Sequence, residues 1–525
     1  MTCLSPADLK TRYRDGEDEI ALLDVREAGE YGMGKAFHAV NLPYSRFEAG
    51  LGSLVPNHRV TLVLMDSEDE GRARHCAALA VALGYAAPCW VQGGIEGWKA
   101  AGYTAFAGVN VVSKTFGELV HETFNTPAIG PETLAGWQAG NESVVVLDGR
   151  PLDEYRKMTI PGSRCCPNGE LVRRLPAILQ GDTQTPVVIN CAGRTRSIIG
   201  AQTLRWLGVK NPVYALENGT QGWRLAGFDL EHQAGRHYPP EVSVSPGMQE
   251  AAGSLAARHG ATEIDAETLN AWLADTSSTT YVFDVRTLEE YRRHCLAGAV
   301  HAPGGQLIQA TDQWVGVHRS RIVLVDDDES RAPVVAAWLA LMGARAVWLG
   351  GGDSQWHRVE GLSEREALYT FTAPKLLPAT LEEALAPETL CLDGRSSMLY
   401  RHAHLPNARW VNRSLLERQL ASISRDQSLI LVADSETQAS GLVFSLDALG
   451  FQRPRLLVAD VDEWQGKGAL LESTPDRPSD DDCIDFLFFV HDRHDGNLEA
   501  SRRYLEWETG LLDKMDDDER GTFSI

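Results

Sequence analysis

Residues 186–207 read PVVINCAGRTRSIIGAQTLRWL. The run Val187-Val188-Ile189-Asn190 is apolar and β-branched, as a buried strand requires. Beyond it Ile198, Ala201, Leu204 and Leu207 recur at three- and four-residue spacing, and Gly208 stands where a helix C-terminal cap belongs. The segment between them, Cys191 to Ser197, is therefore a tight loop leading from strand to helix. At such a junction free backbone N–H groups and the positive end of the helix dipole converge, and Arg194 and Arg196 add charge of the same sign. That setting favours a thiolate at Cys191, and the thiolate is the nucleophilic form of cysteine. A small buried thiol is the commoner role for a lone cysteine. The loop glycine, the two arginines and the strand-to-helix context favour chemistry here.

The same architecture recurs along the chain. Four apolar runs end in Asp-x-Arg followed by an aromatic: Asp24-Val25-Arg26 with Tyr31, Asp148-Gly149-Arg150 with Tyr155, Asp284-Val285-Arg286 with Tyr291, and Asp393-Gly394-Arg395 with Tyr400. Each leads to a tryptophan beside a turn, Trp98, Trp223, Trp356 and Trp464, at 74, 75, 72 and 71 residues from its aspartate. Near-constant internal length marks four tandem copies of one unit. Within each, a small-residue segment, a short helical pattern, a buried strand, a loop, a helix ending at Gly84, Gly208, Gly343 or Gly450, and a further strand follow in order. Alternating strands and helices at this spacing imply an α/β fold with a parallel sheet covered on both faces.

Cys191, Gly193 and Arg196 in a strand-to-helix loop, within this repeated α/β unit, resemble the active-site loop of the rhodanese sulfurtransferases. The resemblance covers roughly residues 5 to 470 and is strongest in the second copy. It implies four tandem rhodanese-like domains, each a parallel sheet flanked by helices, at residues 1–108, 126–235, 256–362 and 375–472. An acidic helical tail occupies 473–525. Connecting segments are expected at Val109 to Asn125, with a short helix, at Tyr238 to Gly260 and at Glu360 to Pro378.

The loops equivalent to Cys191 distinguish the copies. The first has Met65-Asp66-Ser67-Glu68-Asp69-Glu70-Gly71-Arg72, the third Asp326-Asp327-Asp328-Glu329-Ser330-Arg331, and the fourth Ala433-Asp434-Ser435-Glu436-Thr437. None carries a cysteine, so the first, third and fourth domains are expected to be catalytically silent, their acidic loops exposed to solvent. Asp326 to Glu329 lacks the alternating ligand spacing and turn glycine of a magnesium or calcium loop.

In the second copy the resemblance implies Cys191 as the catalytic nucleophile, with Ala192, Gly193, Arg194, Thr195, Arg196 and Ser197 forming the substrate-binding loop and no metal or cofactor required. Cys191 would take a sulfane sulfur from a donor such as thiosulfate and pass it from a persulfide to cyanide, a thiol or a protein acceptor. Arg194 and Arg196 would neutralise an anionic donor; the alternative role for Arg196, alone or in addition, is to pin the loop by hydrogen bonds to carbonyls. Asp148 and Arg150 recur in every copy and are assigned to architecture. Two alternatives compete: a non-enzymatic sulfur-carrier or docking scaffold, and a cysteine phosphatase or arsenate reductase. The latter needs five residues between Cys and Arg, whereas four separate Cys191 from Arg196. Cys165 and Cys166, after Pro161-Gly162-Ser163, read as packed thiols in preference to a sulfur relay or a disulfide.

Charge and composition narrow the class. At 525 residues and 43% apolar content the chain can bury several cores. Its net charge of −23 argues against nucleic acid or an anionic membrane surface as partner. Residues 126–235 hold 11 Lys/Arg against 10 Asp/Glu, a net of +1, so the rest of the chain carries −24. Nine irregularly spaced cysteines without a Cys-x-x-Cys pair fit a reducing compartment. Met1 to Arg14 has no apolar signal core and no run reaches membrane-helix length, so the expected location is cytoplasmic. His491-Asp492-Arg493-His494-Asp495 in the tail reads as a solvated helix boundary, not a ligand set.

Overall fold

A computed structural model describes residues 2–140, 142–240, 244–491 and 497–525, apart from the side chains of 366–369. The apolar runs form strands, and the strands form four parallel sheets. The first contains β1 (Cys3–Leu4), β2 (Ile20–Asp24), β3 (Val40–Asn41), β4 (Thr61–Met65) and β5 (Cys89–Val91) in the order β1-β5-β4-β2-β3. In the second, β6 (Ala128–Ile129), β7 (Val145–Asp148), β8 (Arg164–Cys165), β9 (Val187–Asn190) and β10 (Val213–Leu216) run β6-β10-β9-β7-β8. The third repeats this with β11 (Thr262–Ile264), β12 (Thr280–Asp284), β13 (Val300–His301), β14 (Arg321–Val325) and β15 (Arg345–Leu349) as β11-β15-β14-β12-β13. The fourth has β16 (Leu390–Asp393), β17 (Ala408–Trp410), β18 (Leu429–Ala433) and β19 (Arg455–Val458) as β17-β16-β18-β19. Every residue of β2, β9, β12 and β18 is buried, which is why these strands read as continuous apolar runs and not as alternating ones.

The helices that matter below are α1 (Gly71–Ala82), α2 (Val111–Phe124), α3 (Thr195–Trp206), α4 (Ala332–Leu341), α5 (Glu436–Ala448) and α6 (Leu498–Thr509). α1, α3, α4 and α5 follow the loops at the ends of β4, β9, β14 and β18. The glycines that close them, Gly84, Gly208, Gly343 and Gly450, all have left-handed φ of +73° to +95°, the conformation that ends a helix at little cost only for glycine.

The Asp-x-Arg signature is a buried clip. Arg26, Arg150, Arg286 and Arg395 place Nη2 at 2.6–2.7 Å from Asp24, Asp148, Asp284 and Asp393. Each guanidinium also donates to a carbonyl eight residues on, that of Gly34, Met158, His294 or Ala403. The hydroxyls of Tyr31, Tyr155, Tyr291 and Tyr400 donate to Ala39, Ser163, Ala299 and Ala408. Charge pairs buried this deeply are tolerated because their remaining protons are also satisfied.

The chain forms two compact units. One comprises residues 2–16, 20–108 and 369–488, with the first and fourth sheets; the other comprises 17–19, 109–368 and 489–525, with the second and third. In the first unit α5 packs on the helix Phe47–Leu54, and Arg413 and Glu48 make a buried bidentate pair. In the second unit, segments expected to be connectors prove to be structural. Val109 to Asn125 holds the four-turn α2 and not a short helix, and it packs along α3. Tyr238 to Gly260 contains the helix Pro246–Arg258, which packs on α4, and Glu360 to Pro378 contains the helix Leu362–Tyr369. Pro246–Arg258 buries Ala252, Leu255 and Ala256 on one side, a periodicity that the proline at its start disguised.

The C-terminal segment is helical as expected, with Phe488–His491, α6 and Asp517–Arg520, and it is shared between the two units. Residues up to 488 belong to the first unit, where Gly29 N–H donates to Ile484 O at 2.8 Å, and those from 489 belong to the second. Of the His491 set, residues 492–495 lie outside the described residues.

The second unit has an aromatic core at the junction of these helices. Trp338 of α4, 1% exposed, meets Trp206 of α3 at 4.6 Å and Phe116 of α2 at 5.9 Å between ring centroids, and its Nε1 donates to Thr203 Oγ1 at 2.9 Å. Phe116 in turn meets Phe523 from the C-terminal segment at 5.4 Å. Trp338→Ala is expected to destabilise this unit by about 3–5 kcal/mol, read as faster hydrogen exchange of amides in α2, α3 and α4. Unchanged protection there would show that the core does not hold these helices together.

Candidate functional site

β9 lies between β10 and β7, and its C-terminal end delivers Cys191 to the crevice above the sheet, where open α/β sheets bind ligands. Cys191 is 2% exposed. Its Sγ lies 3.6 Å from Ser197 Oγ, which donates to Arg194 O at 2.7 Å. The loop is clamped from the turn after β10: the N–H groups of Thr220 and Gln221 donate to the carbonyls of Cys191 and Ala192 at 2.9 and 3.2 Å. Asn168 Nδ2 holds Arg196 O at 2.8 Å.

The four copies treat the start of the loop helix differently. Asp66 and Asp326 stand one residue past β4 and β14, where Cys191 stands past β9. Both are buried, contrary to the expectation of solvent-exposed acidic loops. Asp66 Oδ2 accepts the N–H groups of Arg72 and Ala73 at 2.8 and 3.2 Å. Asp326 accepts those of Glu329, Arg331 and Ala332 at 2.8–3.2 Å. In the fourth copy Ser435 caps α5 by accepting from Gln438 N–H. Of the four loop helices, α3 is the one whose first N–H groups meet no side-chain acceptor among the described residues. The positions equivalent to the donors around Asp326 are Arg194, Arg196 and Ser197. Three copies thus carry a built-in cap, two of them a carboxylate, while the second presents a thiol.

The remaining acids of the third loop are engaged too. Asp327 pairs with Arg331 at 3.2 Å, Asp328 with Arg173, and Glu329 accepts from Gly351 N–H at 2.9 Å. Among the described residues no group of three or more His, Cys, Asp or Glu is arranged to hold a metal ion.

A pocket of about 240 Å³ opens at the loop, lined by Cys191, Ala192, Gly193, Arg194, Thr195 and Arg196. Ser197 lies beneath the wall, in contact with the sulfur. Two larger hollows, of about 530 and 610 Å³, are lined by no cysteine. The two arginines face the pocket already paired. Arg196 makes a bidentate pair with Glu154, both contacts 2.8 Å, and reaches Gln306 Oε1 at 3.3 Å. Arg194 makes another with Glu118 at 2.6 and 2.8 Å. Each guanidinium at the pocket wall is thus charge-paired with a carboxylate of the chain itself.

Several wall residues lie outside 126–235, so the near-neutral charge of that stretch does not describe the site. α2 contributes Lys114; the third copy contributes Gln306, Gln309 and Gln313; α6 contributes Tyr504 and Glu508. Glu154, by contrast, left a trace in the sequence. Glu30, Glu154 and Glu290 each stand six residues after their clip aspartate, and Arg72, Arg196 and Arg331 pair with them at 2.7–2.8 Å. The fourth copy has Leu399 at that position and no loop arginine, so the two residues are lost together.

Five of the other thiols are poor nucleophile candidates. Burial pushes Cys165 and Cys391 up to about 12 and raises Cys76, Cys89 and Cys166. Cys165 and Cys166 are fully buried free thiols, absent from the pocket wall, and Cys165 Sγ donates to Arg150 O at 3.6 Å. No helix among the described residues is long and apolar enough to cross a membrane.

Comparison with known proteins agrees with this architecture. The model of the rhodanese-like domain matches residues 5–101, 131–226 and 265–358; the fourth sheet lies outside these stretches. The solved structure of a thiosulfate sulfurtransferase from Pseudomonas aeruginosa is 35% identical, with a TM-score of 0.89, over 100% of this chain and 99% of that one. A 3-mercaptopyruvate sulfotransferase from Escherichia coli is 19% identical over 43% of this chain and 97% of its own, with a TM-score of 0.23. No curated protein matches. With three matched stretches in one chain and a relative of the same length and layout, the protein belongs to the rhodanese-like family.

Proposed function

We propose that the protein is a sulfurtransferase that carries sulfane sulfur as a persulfide on Cys191. The observation that carries the reading is the contrast between helix starts: where Asp66 and Asp326 seat a carboxylate on the first N–H groups of α1 and α4, the second copy seats a thiol on an uncapped α3 at the wall of a polar pocket. A helix start that binds a carboxylate in the first and third copies suits a thiolate or a persulfide anion in the second. The relative from Pseudomonas aeruginosa supports the reaction class.

In the first half-reaction the Cys191 thiolate attacks the outer sulfur of a donor such as thiosulfate. The S–S bond of the donor breaks and sulfite departs with the electron pair, leaving Cys191–S–S⁻. A thiolate or cyanide then attacks the terminal sulfur, and the Cys191 thiolate leaves. The chain needs only to hold the anion and the loop. Ser197 Oγ lies against Sγ, the turn after β10 fixes the loop carbonyls, and the Arg196–Glu154 pair with Gln306 braces the far side. Small-molecule donors and acceptors suit the size of the pocket.

The test is mass spectrometry of the whole chain after brief exposure to thiosulfate, with peptide mapping. One added sulfur is expected on Cys191, removable by cyanide. Sulfur on Cys165, Cys166 or no cysteine would overturn the assignment.

A further inference from the structure

The charge of the sulfur pocket is set in part by the C-terminal segment. α6 places Glu508, which has no exposed surface, at the pocket wall. Its Oε1 lies 2.8 Å from Lys114 Nζ and accepts from Thr195 Oγ1 at 3.2 Å. Its Oε2 lies 2.6 Å from where a β-carbon on Gly193 would stand, so the carboxylate rests directly on the loop face two residues beyond Cys191. The Lys114 ammonium, on α2, also sits 4.9 Å from the ring centre of Tyr504. Among the described residues three cations border the pocket, Arg194, Arg196 and Lys114, and each pairs with a carboxylate, in Glu118, Glu154 and Glu508.

We propose that Glu508 is a specificity-determining residue: by pairing with Lys114 it lowers the positive charge that the pocket offers and directs the site toward sulfane donors of low charge, namely persulfides of uncharged thiols, over dianions such as thiosulfate. The inference rests on the sulfurtransferase reading. A dianion entering a buried site gains from each uncompensated cation and loses from each uncompensated carboxylate, with little screening by water or salt. Gly193 is what lets the carboxylate come this close, because any side chain there would meet it. For the donor class proposed, the Cys191 thiolate attacks the outer sulfur of R–S–SH, the S–S bond breaks, and the departing R–S⁻ takes up the proton, giving R–SH and Cys191–S–S⁻.

The test uses the full chain carrying Glu508→Gln, Lys114→Met, or both. Charge at the thiol is read without any turnover, as the ratio of Cys191 alkylation by iodoacetate to that by iodoacetamide, quantified by peptide mass spectrometry. Glu508→Gln, which keeps shape and removes charge, is expected to raise this ratio roughly tenfold. Lys114→Met is expected to lower it below wild type, and the double variant to return it close to wild type. In parallel, the KM for thiosulfate should fall roughly tenfold in Glu508→Gln, while that for a persulfide of an uncharged thiol stays within about twofold. A ratio unmoved in Glu508→Gln and in Lys114→Met, with sulfur transfer intact, overturns the charge assignment alone. A ratio that moves as expected while no variant transfers sulfur supports the charge assignment and overturns the sulfurtransferase reading.

Discussion

Cys191→Ser is expected to abolish sulfur transfer, by on the order of 10⁴-fold or more, as removal of a covalent nucleophile does elsewhere, while the chain keeps its fold. Serine is nearly isosteric, and the contacts that hold residue 191 are made by its backbone: Thr220 N–H on its carbonyl, and the parallel pairing of the preceding strand. The hydroxyl occupies the space beside Ser197 Oγ that the thiol holds at 3.6 Å. What is lost is a polarisable anion able to form an S–S bond. Cys165 and Cys166 are not placed to compensate, since both are fully buried and burial raises both thiols. The measurement is thiocyanate formation from thiosulfate and cyanide, beside far-ultraviolet circular dichroism and the unfolding transition of each chain. Residual turnover within tenfold of wild type in a folded Cys191→Ser chain would show that the persulfide forms elsewhere or not at all.

Much of the architecture was open to reading before any coordinates, because it is local and repeated four times. Buried parallel strands force unbroken apolar runs, the glycine after each loop helix is required by its left-handed φ, and the Asp-x-Arg pairs lie two residues apart. The thiol loop was visible for the same reason: strand, cysteine, glycine, arginines and helix are contiguous. What sequence periodicity does not show is the wall opposite. Lys114 and Glu508 are 394 residues apart and meet only because α2 and α6 both pack against the loop side of the second copy. Arg196 was read by its charge, whereas its partner Glu154, 42 residues away, decides what that charge does.

The acidic loops illustrate the other failure. A run such as Asp326-Asp327-Asp328-Glu329 looks solvated by composition, yet its first carboxylate is wholly buried because three backbone N–H groups at a helix start replace water around it. The deciding variable is position relative to the end of β14, which composition does not report. It follows that loss of the cysteine in the first and third copies left the helix start occupied, with a carboxylate from the chain itself as the resident anion.

The second large effect concerns the glycine that fixes the loop from behind. Gly219, in the turn after β10, has φ +53°, and a β-carbon there would overlap the carbonyl of Cys191 and stand 2.8 Å from Gly193 O. Gly219→Ala therefore carries two costs. The left-handed conformation costs an alanine roughly 1–2 kcal/mol, and the collision is with backbone, which cannot swing aside as a side-chain end does. The relief available is to push the Cys191–Gly193 segment off its seat, and a displacement of about 1 Å at a reacting atom costs on the order of 10²-fold in rate. The expected result is a kcat/KM lowered about 10²-fold, chiefly through kcat, since the thiol remains but no longer sits over the start of α3. The first copy supplies the control, because Gly94 has the same φ of +53° and presses in the same way on the carbonyls of Asp66 and Ser67, beside a loop that has no thiol. Gly94→Ala should incur a similar local loss of stability, seen by hydrogen exchange around β4 and β5, with turnover within about twofold of wild type. If Gly219→Ala turned over at the wild-type rate, the close approach of the turn would have no part in seating the sulfur; if Gly94→Ala lost as much activity as Gly219→Ala, the loss would reflect general destabilisation and not the geometry at Cys191.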